Sequence, residues 1–343
     1  MVIELPKIVL KDKAIEEMPN IIKDLGVNSI FCVFGKTTYD LVGNRILDVL
    51  KDYKLEKVYV DACDELTINK VTKKGQELKT NLIIGIGGGK NIDLAKAVSY
   101  QLNIPCISVP TIPSHDGIAS NRSVVSKEES KYPVVGKLPI AIIADLEILS
   151  KAPARFFAAG CGDVIAKKTA VLDWKLARDE RGEEYDDFFA NLAYLTADLI
   201  IKNANVYEKN YKSSVELLMN CLITCGLLMA ISKSSRPCSG SEHMFCHTID
   251  KLNPKNKALH GEKVALGTYI MSYLHGINYE EIRDVLISYK LPITHEEINI
   301  PPEVLVEALF QTHEIRSDKR YTILRDGIKK EEARRILKEL KVI

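Results

Sequence analysis

Between residues 29 and 145 the chain alternates short apolar runs with stretches whose apolar residues recur every three or four positions. The runs SIFCVFG (29–35), KVYVDA (57–62), NLIIGIG (81–87), PCISVPT (105–111) and PIAIIAD (139–145) are β-rich, the pattern of parallel strands buried on both faces. The stretches between them, such as TYDLVGNRILDVLKDY (38–53) and TINKVTKKGQELKT (67–80), read as amphipathic helices. In the first, Tyr39, Val42, Ile46, Val49 and Leu50 share one face. Strand and helix alternating at this spacing predict a βαβ domain with right-handed crossovers. The first 20 residues and the segment 121–138, with SVV and YPVVGK, are candidates for antiparallel pieces without an assigned place.

After Pro153 the β-rich runs stop. Long helical patterns take over in PARFFAAGCGDVIAKKTAVLDWKLARDE, DDFFANLAYLTADLIIKNA and SSVELLMNCLITCGLLMAIS. The chain therefore reads as an α/β domain with a parallel sheet over residues 1–152, followed by an all-α domain over 153–343. Pro153 suits the first turn of a helix and disfavours helix at the residue before it. Two domains that abut are expected to leave a cleft, where ligands usually sit. The longest apolar stretch, Val215 to Ile231, carries Glu216, Asn220 and Thr224 and is expected to be a buried core helix, not a membrane span.

Composition narrows the function classes. Of 343 residues, 47 are Lys or Arg and 46 Asp or Glu, a net charge of +1, so the totals lack the basic excess a nucleic-acid backbone demands. Glu4 stands where an export signal needs a basic start, and Pro6, Lys7 and Lys11 break the apolar runs. The eight cysteines include no CxxC pair and lie in apolar contexts. They are expected to be reduced core thiols of a cytoplasmic protein.

The segment NLIIGIGGGKNIDLAKAVSY (81–100) runs from a strand through Gly85, Gly87, Gly88 and Gly89 into a helix, with Asn91 the expected N-cap. Glycines there let the backbone turn sharply and approach an anion, while free N–H groups and the helix dipole point at it. A phosphate or pyrophosphate is the natural ligand. The turn meets neither GxGxxG, because Lys90 stands where a glycine is needed, nor the ATPase loop, because Ile84 and Asn91 are wrong for it. A second loop, VPTIPSHDGIAS (109–120), follows the next strand and gathers Thr111, Ser114, His115, Asp116 and Ser120. Loops at the carboxyl ends of neighbouring strands in an open parallel sheet face one crevice, so the two are expected to share a ligand. By itself the second loop reads as an ordinary Pro-rich loop with an Asx-turn at Asp116.

Of seven histidines, His243, His247 and His260 cluster in SGSEHMFCHTIDKLNPKNKALHGEKVALG. On a helix His243 and His247 project from one face about 6 Å apart, and His260 can return across the loop containing Pro254. A catalytic zinc takes three protein ligands, often one a carboxylate, and Asp163 in AAGCGDVIAKKTA is the best candidate acid. Competing readings are a pair of surface imidazoles, and a structural knot of Cys238, His243, Cys246 and His247 whose spacing fits no common finger. Lys167, Lys168 and Glu262 read as solvated charges before they read as partners of the ligands.

Taken together, GIGGGKNIDLAK, VPTIPSHDGIAS, AGCGDVIAKKTA, SGSEHMFCHTID and LHGEKVALGT resemble the archaeal sn-glycerol-1-phosphate dehydrogenases, within the superfamily of iron- or zinc-dependent alcohol dehydrogenases, glycerol dehydrogenases and dehydroquinate synthases. The resemblance spans both halves. One departure is Asn121-Arg122 after SHDGIAS, where many relatives carry a proline. The resemblance implies a dehydroquinate synthase-like fold and one zinc per subunit. It makes Gly89, Lys90, Asn91, Ile92 and Asp93 the pyrophosphate and ribose loop, and Thr111, Ile112, Pro113, Ser114 and Ser120 the second segment for NAD or NADP. Asp163, His243 and His260 match the zinc ligands; Asp116, Asp163 and His247 match the substrate contacts.

The implied reaction is reduction of glycerone phosphate by NADH or NADPH to sn-glycerol 1-phosphate, the backbone of archaeal ether lipids. His247, or zinc-bound water relayed through Asp116, would serve the protonation step. Arg122 and Lys168 are candidate phosphate contacts, and Asp61 a candidate for the adenosine ribose. The rivals are a plain glycerol or polyol dehydrogenase, a dehydroquinate synthase-like lyase that returns the hydride to its product, and a non-catalytic nucleotide and metal binder. The expected partners are a small-molecule substrate and further copies of the chain, with no nucleic acid and no stable membrane insertion.

Overall fold

The computed structural model describes residues 4–127, 130–315 and 320–343. By contacts the chain divides into two compact units, Met1–Pro153 with Tyr211–Ala230, and Ala154–Asn210 with Ile231–Ile343. The first unit therefore takes back a helix from the sequence expected to form the helical half.

The first unit is built on a six-stranded sheet in the order β1-β8-β5-β4-β2-β3. Its strands are β1 (Lys7–Lys11), β2 (Ser29–Phe34), β3 (Lys54–Tyr59), β4 (Leu82–Gly87), β5 (Cys106–Pro110) and β8 (Ala141–Asp145), every pairing parallel. Strands β2, β4, β5 and β8 are buried along their whole length, whereas the edge strands β1 and β3 are half exposed. That burial is why the inner runs read as unbroken apolar sequence. After β3 the chain passes back over β2 to form β4, so the connections leaving β2 and β4 diverge and open a crevice at their carboxyl ends.

Two expectations need correction here, and one is met. The N-terminal strand β1 joins the sheet parallel to β8, with Lys7 opposite Ala141, because β8 offers it a parallel edge. Within 121–138 an antiparallel hairpin does form, from β6 (Arg122–Lys127) and β7 (Ser130–Val135), while residues 1–3 and 128–129 of these two segments lie outside the described residues. Strand β3 begins three residues early, at Lys54: the helix expected over 38–53 ends at Val49, after a π-turn at Tyr39–Gly43, and releases the chain sooner.

The helix Tyr211–Ile231 is long and apolar enough to span a membrane, but 67% of its apolar window is buried inside the protein, as the core-helix reading requires. In the second unit the helical pattern over 153–180 breaks at Ala166 into the helices Ala154–Ile165 and Lys167–Arg181. The helices Asp187–Asn203, Ser241–Leu252 and His260–Leu274 belong to the same unit. All eight cysteines are buried and none forms a disulfide.

Candidate active site

In the first unit the glycine turn is shaped by close approach of backbone to side chains. Gly87 has φ +136°, which favours glycine, and a Cβ there would lie 2.2 Å from Asn91 Nδ2 and 2.9 Å from Thr38 Oγ1. The helix Gly89–Leu102 starts directly after it, with Gly88 as N-cap. Asn91 is thus inside the helix, not its cap, and its Nδ2 donates to the Ile86 carbonyl at 2.8 Å, tying the first turn back to β4. Ile92 is buried. Asp93 is buried too, with one carboxylate oxygen 2.8 Å from Lys96 Nζ and the other accepting from the Val124 N–H at 3.1 Å. The side chains of Asn91, Ile92 and Asp93 therefore hold the fold, whereas Gly89 and Lys90 lie nearer the surface. Lys90 Nζ donates to the Asp61 carbonyl at 3.0 Å, which brings the exposed Asp61 beside the turn.

The second loop packs against the first, as the sheet geometry led one to expect. A Cβ on Gly88 would meet Ile112 Cδ1 at 2.8 Å, and one on Gly89 would meet His115 Nε2 at 2.2 Å. The Thr111 N–H donates to the Gly87 carbonyl at 3.1 Å. Pro113 is buried, and Ile112, Ser114 and Asp116 are half-buried. Ser120 is 1% exposed, and its hydroxyl is taken up by the backbone of Gly117 and Arg122. Lys96, itself 1% exposed, donates to the carbonyls of Gly117 (2.6 Å) and Arg122. One buried lysine thereby fastens both ends of the Asp116 loop to the glycine-turn helix, and holds the backbone at Asn121-Arg122 where a proline was expected. From the other side, Gly226 lets the helix Tyr211–Ile231 press on the loop, since a Cβ there would lie 2.6 Å from the Asp116 carbonyl.

In the second unit, Asp163, His243 and His260 converge, with ligand atoms all within 4.8 Å of one another. His243 Nε2 and His260 Nε2 lie 3.5 and 3.6 Å from Asp163 Oδ1. Glycine makes the convergence possible: a Cβ on Gly261 would lie 1.8 Å from the Ala159 carbonyl, and one on Gly162 2.6 Å from the Gly261 carbonyl. Only two bare backbones bring the helices carrying Asp163 and His260 so close. His247, one turn beyond His243, is half-buried with its ring centre 6.3 Å from that of His260.

The surroundings orient these three side chains. Glu242, fully buried, accepts from His243 Nδ1 at 2.8 Å, from the Gly240 N–H at 2.6 Å and from Thr169 Oγ1 at 2.9 Å. With Nδ1 engaged by Glu242, Nε2 is the ring nitrogen left facing Asp163, the carboxylate–histidine arrangement of metal sites. Cys246 Sγ lies 3.5 Å from His260 Nδ1, so the thiol supports that ring instead of joining the knot considered from sequence. Lys167 is fully buried, with Nζ 2.6 Å from the Asp163 carbonyl and 3.5 Å from its Oδ2.

Burial alone would push the Asp163 carboxyl up, but Lys167 and the two imidazoles override it and hold the group well below the ordinary range. Glu242 is likewise lowered against its burial by His243 and the Gly240 N–H. His243 is raised, because Asp163 and Glu242 outweigh the burial that would lower it. Two carboxylates against one ammonium, around two imidazole nitrogens, form a pocket that favours added positive charge. One carboxylate oxygen and two imidazole nitrogens on three helices match the three-ligand donor set of an open catalytic site.

The two remaining charges flagged in the sequence have other work. Glu262 accepts from Arg155 Nε at 2.5 Å and Nη2 at 2.8 Å, and from the Leu259 N–H at 2.7 Å, fixing the turn that presents His260. Lys168 pairs with Asp198 and lies 3.7 Å over the Tyr194 ring, so its charge already has partners on the neighbouring helix. Sequence reasoning missed Glu242 and Thr169, and underrated Lys167. The signal available was an acid adjacent to a histidine in a segment that proves wholly buried.

A family model described as iron-containing alcohol dehydrogenase matches residues 9–153. A curated relative from Methanosarcina mazei, named glycerol-1-phosphate dehydrogenase (NAD(P)+), is 42% identical over 99% of this chain and 96% of its own. Another of that name from Sulfurisphaera tokodaii is 40% identical over 100% and 98%. Among solved structures, glycerol dehydrogenase from Schizosaccharomyces pombe superposes with a TM-score of 0.79 at 21% identity, covering 99% of this chain and 90% of that one. Sulfoacetaldehyde reductase from Bifidobacterium kashiwanohense, in complex with NAD+, gives 0.78 at 16% identity, covering 99% and 98%. These two show the fold.

Proposed function

This chain belongs to the glycerol-1-phosphate dehydrogenase family of oxidoreductases, and from that premise we propose that it reduces glycerone phosphate to sn-glycerol 1-phosphate with NADH or NADPH. The observation that carries the reading is the convergence of Asp163, His243 and His260 behind Glu242, in a chain that also holds the glycine turn. The product would supply the backbone of archaeal ether lipids. The reading takes the enzyme to be a cytoplasmic homo-oligomer with one zinc per subunit.

Asp163, His243 and His260 would hold the ion, which when bound supplies a Lewis acid for the substrate's carbonyl. Glu242 keeps His243 in the ligating tautomer and Glu262 keeps the turn before His260 in place. Gly89 and Lys90, at the positive end of their helix, bind the cofactor's pyrophosphate. The Thr111–Ser120 loop, anchored by Lys96, lines the nicotinamide portion. His247 orients the substrate and delivers a proton to the reduced oxygen, since imidazole titrates near neutrality. In the alternative route Asp116 relays that proton from water.

The test follows NADH and NADPH oxidation with glycerone phosphate, before and after zinc removal, with dihydroxyacetone as the unphosphorylated control. Zinc-dependent turnover that prefers the phosphate ester supports the proposal. Preference for dihydroxyacetone assigns the chain to polyol oxidation, and no oxidation with either ketone rejects the reductase.

A further inference from the structure

The helix Asp187–Asn203 distributes its apolar residues against the usual rule. Toward the core it buries small ones: Ala190, Ala193 and Ala197, with Thr196 and Ile200. Its large ones face outward: Phe188, Leu195 and Leu199 keep 65%, 49% and 40% of their surface exposed, and Leu192, half-buried, lies among them. The positions 188, 192, 195 and 199 step by four, three and four, the spacing of a coiled-coil seam. Isolated exposed leucines need no explanation, but a continuous stripe does. The alanine face already docks this helix on its own unit, so the stripe is surplus to the fold of one chain.

We infer that the stripe is a contact between two copies of this chain, with the helices packed antiparallel about a two-fold axis that passes between Leu192 and Leu195. In that register Phe188 faces Leu199 of the second copy and Leu192 faces Leu195, so each large residue meets another. The patch is its own complement, as an isologous interface requires. The charges select the same direction. Glu184, Asp186 and Asp187 stand exposed at the start of the helix and Lys202 stands exposed near its end. Antiparallel packing sets each Lys202 against the acidic end of the other copy, on both sides of the axis, whereas parallel packing would stack acid on acid. The inference does not depend on the reaction proposed above.

The experiment is analytical ultracentrifugation of the full chain over a range of concentrations, comparing wild type with Leu195→Glu. The wild type is expected to sediment as a dimer or a multiple of one. In the variant an unpaired carboxylate enters the seam opposite Leu192, and the dissociation constant for this contact should rise about a hundredfold or more, halving the mass. An unchanged circular dichroism spectrum and melting temperature exclude unfolding as the cause, because the residue is half exposed in the isolated chain. A second arm tests the register: Lys202→Glu should weaken the contact about tenfold, and adding Glu184→Lys should restore most of that loss. A wild-type monomer at every concentration overturns the inference and gives the stripe to a different partner. An undiminished mass for Leu195→Glu, or no recovery in the charge-swapped pair, overturns it as well.

Discussion

The glycine turn of the first unit and the three-residue cluster of the second are built on opposite principles. Around the turn the side chains of Asn91, Asp93, Lys96 and Ser120 hold the backbone, and what faces outward is glycine, main chain and the single side chain of Lys90. Around Asp163 the backbone is withdrawn, through Gly162 and Gly261, so that side chains can meet. A site made of backbone should fail when atoms are added, and a site made of side chains should fail when atoms are removed. Each prediction below breaks or sharpens that contrast.

The largest effect belongs to removal in the second unit. Asp163→Ala deletes one proposed ligand and leaves Lys167 buried beside the two imidazoles without its carboxylate. Bound metal measured by atomic emission should fall to background and reductase activity by at least about a thousandfold, the scale on which a lost Lewis acid of several kcal/mol is read. Retention of a full metal complement would remove Asp163 from the ligand set.

Next comes removal in the first unit, which tests whether side chains there are structural. Lys96→Met strands the Asp93 carboxylate, both groups being almost wholly buried, and should cost about 3–5 kcal/mol of unfolding free energy in urea titration. Asp93→Asn combined with Lys96→Met should recover a large part of that loss, because no buried charge is then unpaired. A single variant as stable as wild type would show that the pair does not hold the Asp116 loop.

Smaller again is Glu242→Gln, which keeps the shape but loses the charge that holds the His243 ring. Metal affinity should drop 10- to 100-fold, within the usual span for such supporting groups. Competition with a chromogenic chelator reads this directly, and an unchanged affinity would make Glu242 merely a cap for Gly240.

The same contrast decides what was legible in the sequence. The glycine turn could be read because its conformation dictates residue type, and the histidines because the i,i+4 step puts His243 and His247 on one helical face. The α/β half was legible wherever strands are buried on both faces; β3, an edge strand whose start depends on where the preceding helix lets go, was misplaced by three residues. Glu242 and Lys167 were not legible as functional groups, because a charge in a helix is ordinarily solvated and only packing reveals that these two are fully buried. Nor could the pattern tell that the helix Tyr211–Ile231 returns to the first unit. An apolar helix announces that it will be buried, without naming the core that buries it.

The smallest effect is addition at the turn, and it is the sharpest test of the backbone principle. A methyl group on Gly89 would lie 2.2 Å from His115 Nε2 and 3.0 Å from Cε1, inside any permissible contact. The obstacle is the end of a side chain, not main chain, so the ring can swing aside. Doing so gives up the bond in which the Gly117 N–H donates to His115 Nδ1 at 3.0 Å, worth about 1 kcal/mol. Gly89→Ala should therefore raise the KM for the nicotinamide cofactor about fivefold, the factor that such an energy corresponds to. Metal content and kcat should stay as they were, since neither the ligands nor His247 is touched. Adding His115→Ala should return the KM most of the way, because the clash then disappears with the ring. If the double variant binds cofactor no better than Gly89→Ala alone, the methyl group itself is in the way, and the turn meets its ligand more closely than the contact with His115 requires.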